Sequence, residues 1–452
     1  TVRQMWDIFV VGFDGAKWLP VHELPESSGR CWMQSGSALE GNKLLYFWPV
    51  DGRTYADPHV KTAQIQFAEF VMTDAPAAAD GMMPFVSERT AVADAAPTER
   101  QDISRVRAAR WQDSAPLHLF RGDLHRHTDI SADGMSDGDI LDTYRYAMDA
   151  AALDFMAITD HTGHQRLNYF HYDWWRNRQI ATLFNNPGHF VTFFGYERTV
   201  TYPGGHRNII STRRDAQPFR ISDEEFTGIE SYGTRLFPQL RATGDIAIPH
   251  TTGTGGGTNW NANDPQAEPV VEIFQGLRGA FEEPSGPGKA RGVSHPDGLV
   301  WNAWAGGHRL GVIASSDHNS THQSYACVWA PDFTAESIHN ALKARRSFAA
   351  TDNIIVKFDA LDRKGSVYKM GREFATASAP EFRIEIQGTD ALSKVELIRN
   401  DKIMLSRSPG SPMDRFTYSD TDPLPGTAYY HVRIVQKNKQ IAWSSPIWVR
   451  RP

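Results

Sequence analysis

Apolar residues along this chain fall into short runs, and the character of those runs changes twice. Over residues 1–73 they are aromatic, as in Trp6-Asp7-Ile8-Phe9-Val10-Val11 and Leu44-Leu45-Tyr46-Phe47-Trp48, and they are punctuated by Gly12, Gly15, Pro20, Gly29 and Pro49. That pattern predicts a β-rich, sandwich-like accessory segment. Residues 61–72 alternate less cleanly and fit either a strand or a short helix. Residues 74–116 are rich in Ala, Asp, Pro and Thr and hold few large apolar side chains, so they read as a linker or surface wrap.

Over 117–353 strands and helices alternate. Strands are predicted at 117–124, at 154–159 leading to Asp160-His161, at 190–196 leading to Glu197, and at 208–210 just after His206. Others are 245–249 leading to His250, 269–274 containing Glu272, and 310–315 leading to Asp317-His318. Helices are predicted over 137–151, starting near Asp137 or Asp139, over 165–184, and over 232–242, where Pro238 would introduce a kink. A last helix over 334–345 has Thr334 as its N-cap. Serial alternation of this kind predicts an α/β barrel or a parallel sheet. From 354 to 452 the runs alternate as strands again, with turns at Asn400-Asp401 and 422–426, which predicts a small antiparallel sandwich suited to packing or oligomer contacts.

Composition adds limits. The 452 residues, 40% hydrophobic and 22% charged, suit a globular chain with two or three domains, and the formal net charge of −6 gives no electrostatic case for nucleic acid. No stretch approaches the roughly 20 apolar residues of a membrane span. Cys31 and Cys327 stand far apart, so two free thiols are expected rather than a disulfide framework. The sequence opens at Thr1 rather than Met; a removed signal peptide would place the protein in the periplasm or outside the cell, and otherwise it is expected in the cytoplasm. The oligomeric state is not legible.

Histidine placement changes the picture most. Thirteen of the 17 histidines lie between His118 and His322, and several stand with carboxylates at predicted strand ends, where α/β folds gather their functional groups. His125 and His127 sit at i and i+2, on one face of an extended strand, where both imidazoles can hold one ion. Nine candidate ligands follow from such placements: His125, His127, Asp133, His161, Glu197, His206, His250, Asp317 and His318. A catalytic zinc typically takes three protein ligands, so nine suit two or three ions with a carboxylate bridging a pair. Such ions supply hydroxide at neutral pH and attract an anionic small-molecule substrate even to an acidic protein.

The ordered set Asp123-Leu124-His125-Arg126-His127-Thr128, Ile158-Thr159-Asp160-His161, Gly195-Tyr196-Glu197, Ile248-Pro249-His250 and Ser316-Asp317-His318 resembles the successive motifs of the polymerase and histidinol phosphatase (PHP) superfamily. Gly204-Gly205-His206-Arg207-Asn208 resembles a PHP-like branch known as DUF3604. The resemblance covers roughly residues 117–353. It implies a distorted (β/α)7 barrel, flanked here by N-terminal and C-terminal β-rich domains, with phosphoesterase chemistry on two or three Zn, Mn or Fe ions. It implies His125, His127, Glu197 and Asp317 around one metal, with Glu197 bridging to a second held by His206 and His250. Asp133, His161 and His318 would hold a third. Asp133 stands where many members have His. Many members also separate the last Asp and His by one residue, whereas Asp317 and His318 are adjacent and His322 offers an alternative ligand. Residues 251–257 replace the branch's usual Asn-containing segment with a Gly-rich loop that would cover the site.

Further candidates flank these. Asp160 would orient a ligand or act as general acid. Arg126, Arg198 and Arg207 would clamp phosphate oxygens or form ion pairs. His164, His171 and Glu272 read as either structural or functional. An amidohydrolase-type amide or ester hydrolase is the first alternative, although no lysine stands at a strand end to bridge two metals. A non-catalytic, metal-stabilised binding protein is the second.

Overall fold

The computed structural model describes residues 8–13, 17–24, 36–50, 64–71, 116–131, 133–134, 137–162, 171–222, 225, 232–422 and 425–451. The chain divides into two compact units, residues 1–104 with 166–176, and residues 105–165 with 177–452. In the first unit, Gly36–Glu40, Lys43–Val50 and Gln64–Val71 form an antiparallel meander, so the ambiguous 61–72 stretch carries a strand. Leu24, Trp48 and Val50 form a buried apolar cluster there. The predicted linker at 74–116, apart from Pro116, lies outside the described residues, as does Cys31. No helix among the described residues is long and apolar enough to cross a membrane.

The second unit is mixed α/β. Its first strands are β1 (His118–Asp123), β2 (Phe155–Ile158), β3 (Val191–Arg198), β4 (Arg207–Ser211) and β5 (Ile246–Pro249). They are followed by β6 (Val270–Gln275), β7 (Gly311–Ser315), β8 (Tyr325–Ala330) and β9 (Ser347–Ala350). The helices are α1 (Ile140–Asp149), α2 (His171–Phe184, in this unit from Asn177 on), α3 (Tyr232–Thr243), α4 (Val300–Ala305) and α5 (Ala335–Lys343). Strands β1, β2 and β3 are parallel, and β6 is parallel to β7. The uniformly parallel sheet does not extend further: β4 pairs antiparallel with β3 and β5, and β8 antiparallel with β1. The cause at β4 is chain length. Only residues 199–206 join β3 to β4, and a parallel crossover needs about a dozen or more residues.

One hydrogen-bond ladder runs β5-β4-β3-β2-β1-β8-β9 and continues into the C-terminal strands, while β6 and β7 belong to a separate ladder. Strand β5 packs beside β6, and β7 beside β8 and β9. Among the described residues no ladder closes into a ring. Phe120, Leu124, Phe155, Val191, Phe193, Ile210, Ile248, Val270 and Ile313 form one buried cluster, against which Ile338, Ala341 and Leu342 of α5 pack. On β3, alternation puts Val191, Phe193 and Glu197 on one face, so Glu197 caps a stack of apolar side chains.

The other face of β6 and β7 is apolar too, which is why both read as continuous hydrophobic runs. Val271, Ile273, Val312 and Ala314 join Trp304 of α4 and Tyr429, Trp443 and Trp448 in a second buried cluster. These last three belong to the C-terminal strands Gly426–Gln436, Ile441–Ser444 and Ile447–Arg451. A four-stranded antiparallel sheet of Val367–Lys369, Ile355–Leu361, Glu381–Gln387 and Met413–Ser419 completes the unit.

Helix starts follow their capping chemistry. Thr334 Oγ1 accepts from Ser337 N at 3.2 Å at the start of α5. Asp139, not Asp137, caps α1 by accepting from Leu141 N, which leaves Asp137 free for another task. Gly122 lets β1 lie close against Phe155 of β2. A Cβ there would lie 2.2 Å from the Phe155 ring and 2.3 Å from the Phe155 carbonyl oxygen. Gly122→Ala is expected to destabilise the protein by at least the ~1–3 kcal/mol typical of overpacking, read as a lowered denaturant midpoint; an unchanged midpoint would show that β1 and β2 can separate freely.

Candidate metal centre

The donors assemble because four strand ends are stitched together just beyond their regular pairing. Asp317 N donates to His125 O at 2.8 Å and His127 N to Asp317 O at 3.0 Å, a short parallel bridge between the end of β1 and the turn after β7. Ser316 Oγ hydrogen-bonds to Asp123, and the Asp123 carboxylate also accepts from His125 N at 3.1 Å. A second parallel bridge joins His161 to Glu197, with Glu197 N donating to Asp160 O at 3.0 Å. Asp160 supports the backbone behind the donor cluster. Its carboxylate accepts from Thr128 N at 2.7 Å and Thr128 Oγ1 at 2.8 Å, closing the turn that follows His127. The same loop requires Gly134, where a Cβ would lie 1.8 Å from Thr128 O, and this turn delivers Asp133.

Two points of convergence result. Around the first, His125 Nε2 lies 3.2 Å from Glu197 Oε2 and 3.1 Å from Asp317 Oδ1. His127 Nε2 lies 3.1 Å from Glu197 Oε2 and 3.0 Å from Asp317 Oδ1, and the two Nε2 atoms are 3.2 Å apart. Around the second, Glu197 Oε1 lies 2.5 Å from His206 Nδ1, 3.1 Å from His250 Nε2 and 3.3 Å from His161 Nδ1. A third set is looser: Asp133 Oδ2 is 2.9 Å from His161 Nε2 and 3.5 Å from His318 Nε2. All nine predicted ligands therefore meet in one region.

The adjacency of Asp317 and His318 does not separate them. In extended backbone neighbouring side chains point to opposite faces, but Asp317 has φ +69°. That left-handed turn brings His318 Nε2 to 3.4 Å from Asp317 Oδ1. His318 and His161 stack on the two faces of His127, with ring centroids 4.6 and 4.9 Å from it. His322 instead hydrogen-bonds to the Tyr146 hydroxyl at 2.8 Å. His164 and the side chain of His171 lie outside the described residues.

The donor set fits divalent metal. Donors arranged tetrahedrally at roughly 2.0–2.1 Å from an ion stand about 3.3 Å apart, close to the spacings around the first point. Glu197 Oε1 is buried beside three imidazole nitrogens, yet none of them is in hydrogen-bonding geometry with it.

Two supporting carboxylates complete the arrangement. Glu272 Oε2 accepts from His125 Nδ1 at 2.8 Å, and Asp137 Oδ2 from His318 Nδ1 at 2.6 Å. Hydroxyls serve His127, through Ser131 Oγ at 3.0 Å, and His161, through Thr199 Oγ1 at 2.6 Å. The role of Asp137 escaped the sequence reading. Its signal was present: of two acids before α1, only one is needed as the cap.

The three candidate arginines are buried and engaged. Arg126 Nη1 donates to Asp137 Oδ1 at 3.0 Å, and Arg198 Nη2 to Glu225 Oε2 at 2.8 Å. Arg207 donates to Glu268 and, at 2.9 Å, to Gly205 O.

Electrostatics follow the packing. Burial raises the cost of a charged Glu197, but the His161, His250 and His206 imidazoles outweigh it and hold the carboxyl well below the usual range. Asp317 is held low in the same way by His125 and His127. Burial opposes a charged His125, yet Glu272 and Asp317 lift it well above the ordinary value. Burial, then the charge on His125, pushes His250 down to about 3.

A family described as a protein of unknown function (DUF3604) matches residues 162–303, a span that includes Glu197, His206 and His250. An uncharacterized protein of Chlamydia trachomatis serovar D is 28% identical over 375 residues, covering 74% of this chain and 57% of that protein. One from Chlamydia muridarum is 26% identical with the same coverage. The chain thus spans little more than half the length of these relatives. Among solved structures, a two-domain protein from Bacteroides vulgatus containing a predicted PHP-like metal-dependent phosphoesterase is 15% identical. The similarity covers 74% of this chain and 96% of that one, with a TM-score of 0.40.

The metal-free centre carries a pH signature. Burial works against a charged His318, but hydrogen bonds to Asp133 and Asp137 raise it to about 9 from an ordinary 6.5. A pKa raised on folding stabilises fully below the unfolded value and loses that contribution as pH climbs through the folded one. The melting temperature of chelator-treated protein is therefore expected to fall between pH 6.5 and 9.5. A rise across that window would show that His318 is not held protonated.

Proposed function

We propose that this chain is a metal-dependent hydrolase whose reaction is hydrolysis of a phosphate mono- or diester, or a related phosphonate. The observation that carries the reading is Glu197, whose two oxygens serve different histidine sets, Oε2 facing His125 and His127 and Oε1 facing His206 and His250. A carboxylate so placed would serve two cations at once, and paired ions suit phosphoryl transfer. In this reading His125, His127, Glu197 and Asp317 hold one ion. Glu197, His206 and His250 hold a second, and Asp133, His161 and His318 hold a third, with zinc, manganese or iron as the candidates. Bound divalent ions there supply Lewis acidity and hydroxide at neutral pH. The strands β1 to β7 form the scaffold as an opened, distorted (β/α)7 arrangement, and the ordered motifs from Asp123 to His318 support the PHP-like assignment.

The chain's own residues hold this centre in shape. Asp160 fixes the turn after His127, and Arg126, Arg198 and Arg207 act as positioning residues for the loops around it. With those guanidinium groups engaged, attraction of a small anionic substrate falls to the ions and to the partly open edge at His206, whose side chain is 22% exposed.

Metal analysis of the purified chain is expected to give at least two equivalents. A screen of phosphate mono- and diesters and phosphonates, run beside amides and carboxylic esters with zinc, manganese and iron added in turn, is expected to show turnover of a phosphate or phosphonate substrate. Glu197→Ala should lower that turnover by more than the ~10–100-fold typical of losing a mere supporting group, together with metal content. Turnover of amides alone would favour the amidohydrolase-type alternative, and bound metal without turnover of any ester or amide would favour a binding protein.

A further inference from the structure

We propose that Glu272 is a positioning residue that makes the His125–His127–Asp317 position the tight metal site, leaving the Glu197–His206–His250 position as the weak, exchangeable one. This rests on the metal reading above and concerns the ranking of the sites.

The argument begins with the strand. Val270 and Glu272 alternate onto the same face of β6, and Val270 belongs to the buried cluster beneath the centre. The register of β6 against β7 shifts between Glu272 and Phe274. A bulge there re-aims the side chains around it, as bulges beside functional sites commonly do. Glu272 is fully buried, and among the described residues its only hydrogen bond is the one at 2.8 Å to His125 Nδ1. Its other oxygen has no partner among the described residues. An aliphatic residue would pack this position at less cost, since a buried carboxylate is expensive without full pairing. The one bond it makes therefore defines its task.

That bond fixes the tautomer of His125. With Nδ1–H donated to a carboxylate, the Nε2 lone pair faces Glu197 Oε2 and Asp317 Oδ1, and the imidazole becomes a stronger donor. His127 is fixed in the same sense by Ser131 Oγ. At the second position His250 lacks such support. His250 Nδ1 is buried and has no hydrogen-bond partner among the described residues, so nothing there fixes its tautomer. His206 is partly open to solvent. Both positions share Glu197, so the difference between them lies in Asp317, which serves the first alone, in the histidines and in what stands behind them.

The test is competitive titration of the chelator-treated full chain with Zn(II) against a chromophoric chelator. Wild type is expected to bind its first equivalent at least ~10-fold more tightly than the next. Glu272→Gln keeps an acceptor for Nδ1–H but removes the charge, and it should weaken the first equivalent by ~10–100-fold, the usual effect of losing a supporting partner, with the second unchanged. His206→Ala should delete a weak equivalent and spare the tight one. Equal affinities in wild type, equal effects of Glu272→Gln on both equivalents, or no effect on either, would overturn the proposal. If Glu272→Gln does not fold, His206→Ala decides, since loss of the tight equivalent would overturn it as well. A folded wild-type chain that binds no Zn(II) would instead remove the metal reading itself.

Discussion

The structure depends on a single electrostatic difficulty: Glu197 and Asp317 are buried among the imidazoles of His125, His127, His161, His206 and His250 at separations near 3 Å. Carboxylate oxygens and imidazole lone pairs repel unless cations or protons stand between them. Without metal, protons do this in part, which is why His125 is lifted while His250 beside it is depressed. Much of the surrounding structure keeps these groups from moving apart. The Arg126–Asp317 and His161–Glu197 bridges fix backbone spacing, and Asp123 and Asp160 close the turns behind the ligands. A cluster that would relax by opening is held by strand ends that have no freedom to open.

The clustered donors were legible in the sequence because chemistry and periodicity coincide at strand ends. A buried strand ending in His or carboxylate leaves few structural explanations, and five such ends in order are hard to assign to a core. Pairing direction was less legible. The short 199–206 connection sends β4 back antiparallel, a consequence of loop length that local patterning does not encode. The Asp317-His318 adjacency departs from the spacing of the PHP motif it resembles; a single left-handed residue brings both side chains to the cluster all the same. Glu272 and Asp137 were the hardest to read, since their roles arise from partners 147 and 181 residues away.

The arginines show how the same residue type divides between surface and core. Arg198 and Arg207 flank ligands in sequence, but each lies on a strand whose neighbours bury it. A buried guanidinium without a carboxylate is strongly destabilising, so Glu225 and Glu268 stand opposite them. These pairs tie the β3 and β4 ends to the segments around 225 and 268. They hold the loop that carries His206 without facing the point where the donors converge.

The C-terminal strands are part of the same physical system. Strands β6 and β7 place Glu272 and Asp317, and each is apolar on both faces. One face meets the cluster beneath the centre, and the other meets Tyr429, Trp443 and Trp448. Glu282, shortly after β6, accepts from Trp443 Nε1 at 2.8 Å and Arg433 Nη1 at 2.9 Å. Strand β9 hydrogen-bonds to Ile441–Ser444, carrying the ladder from the metal-site strands into the C-terminal sheet. If β6 lost its outer cover, Val271 and Ile273 would face water, and the bulge that directs Glu272 toward His125 would lose its backing. The position of one buried carboxylate behind one imidazole is thus set in part by aromatic side chains more than 150 residues further along the chain.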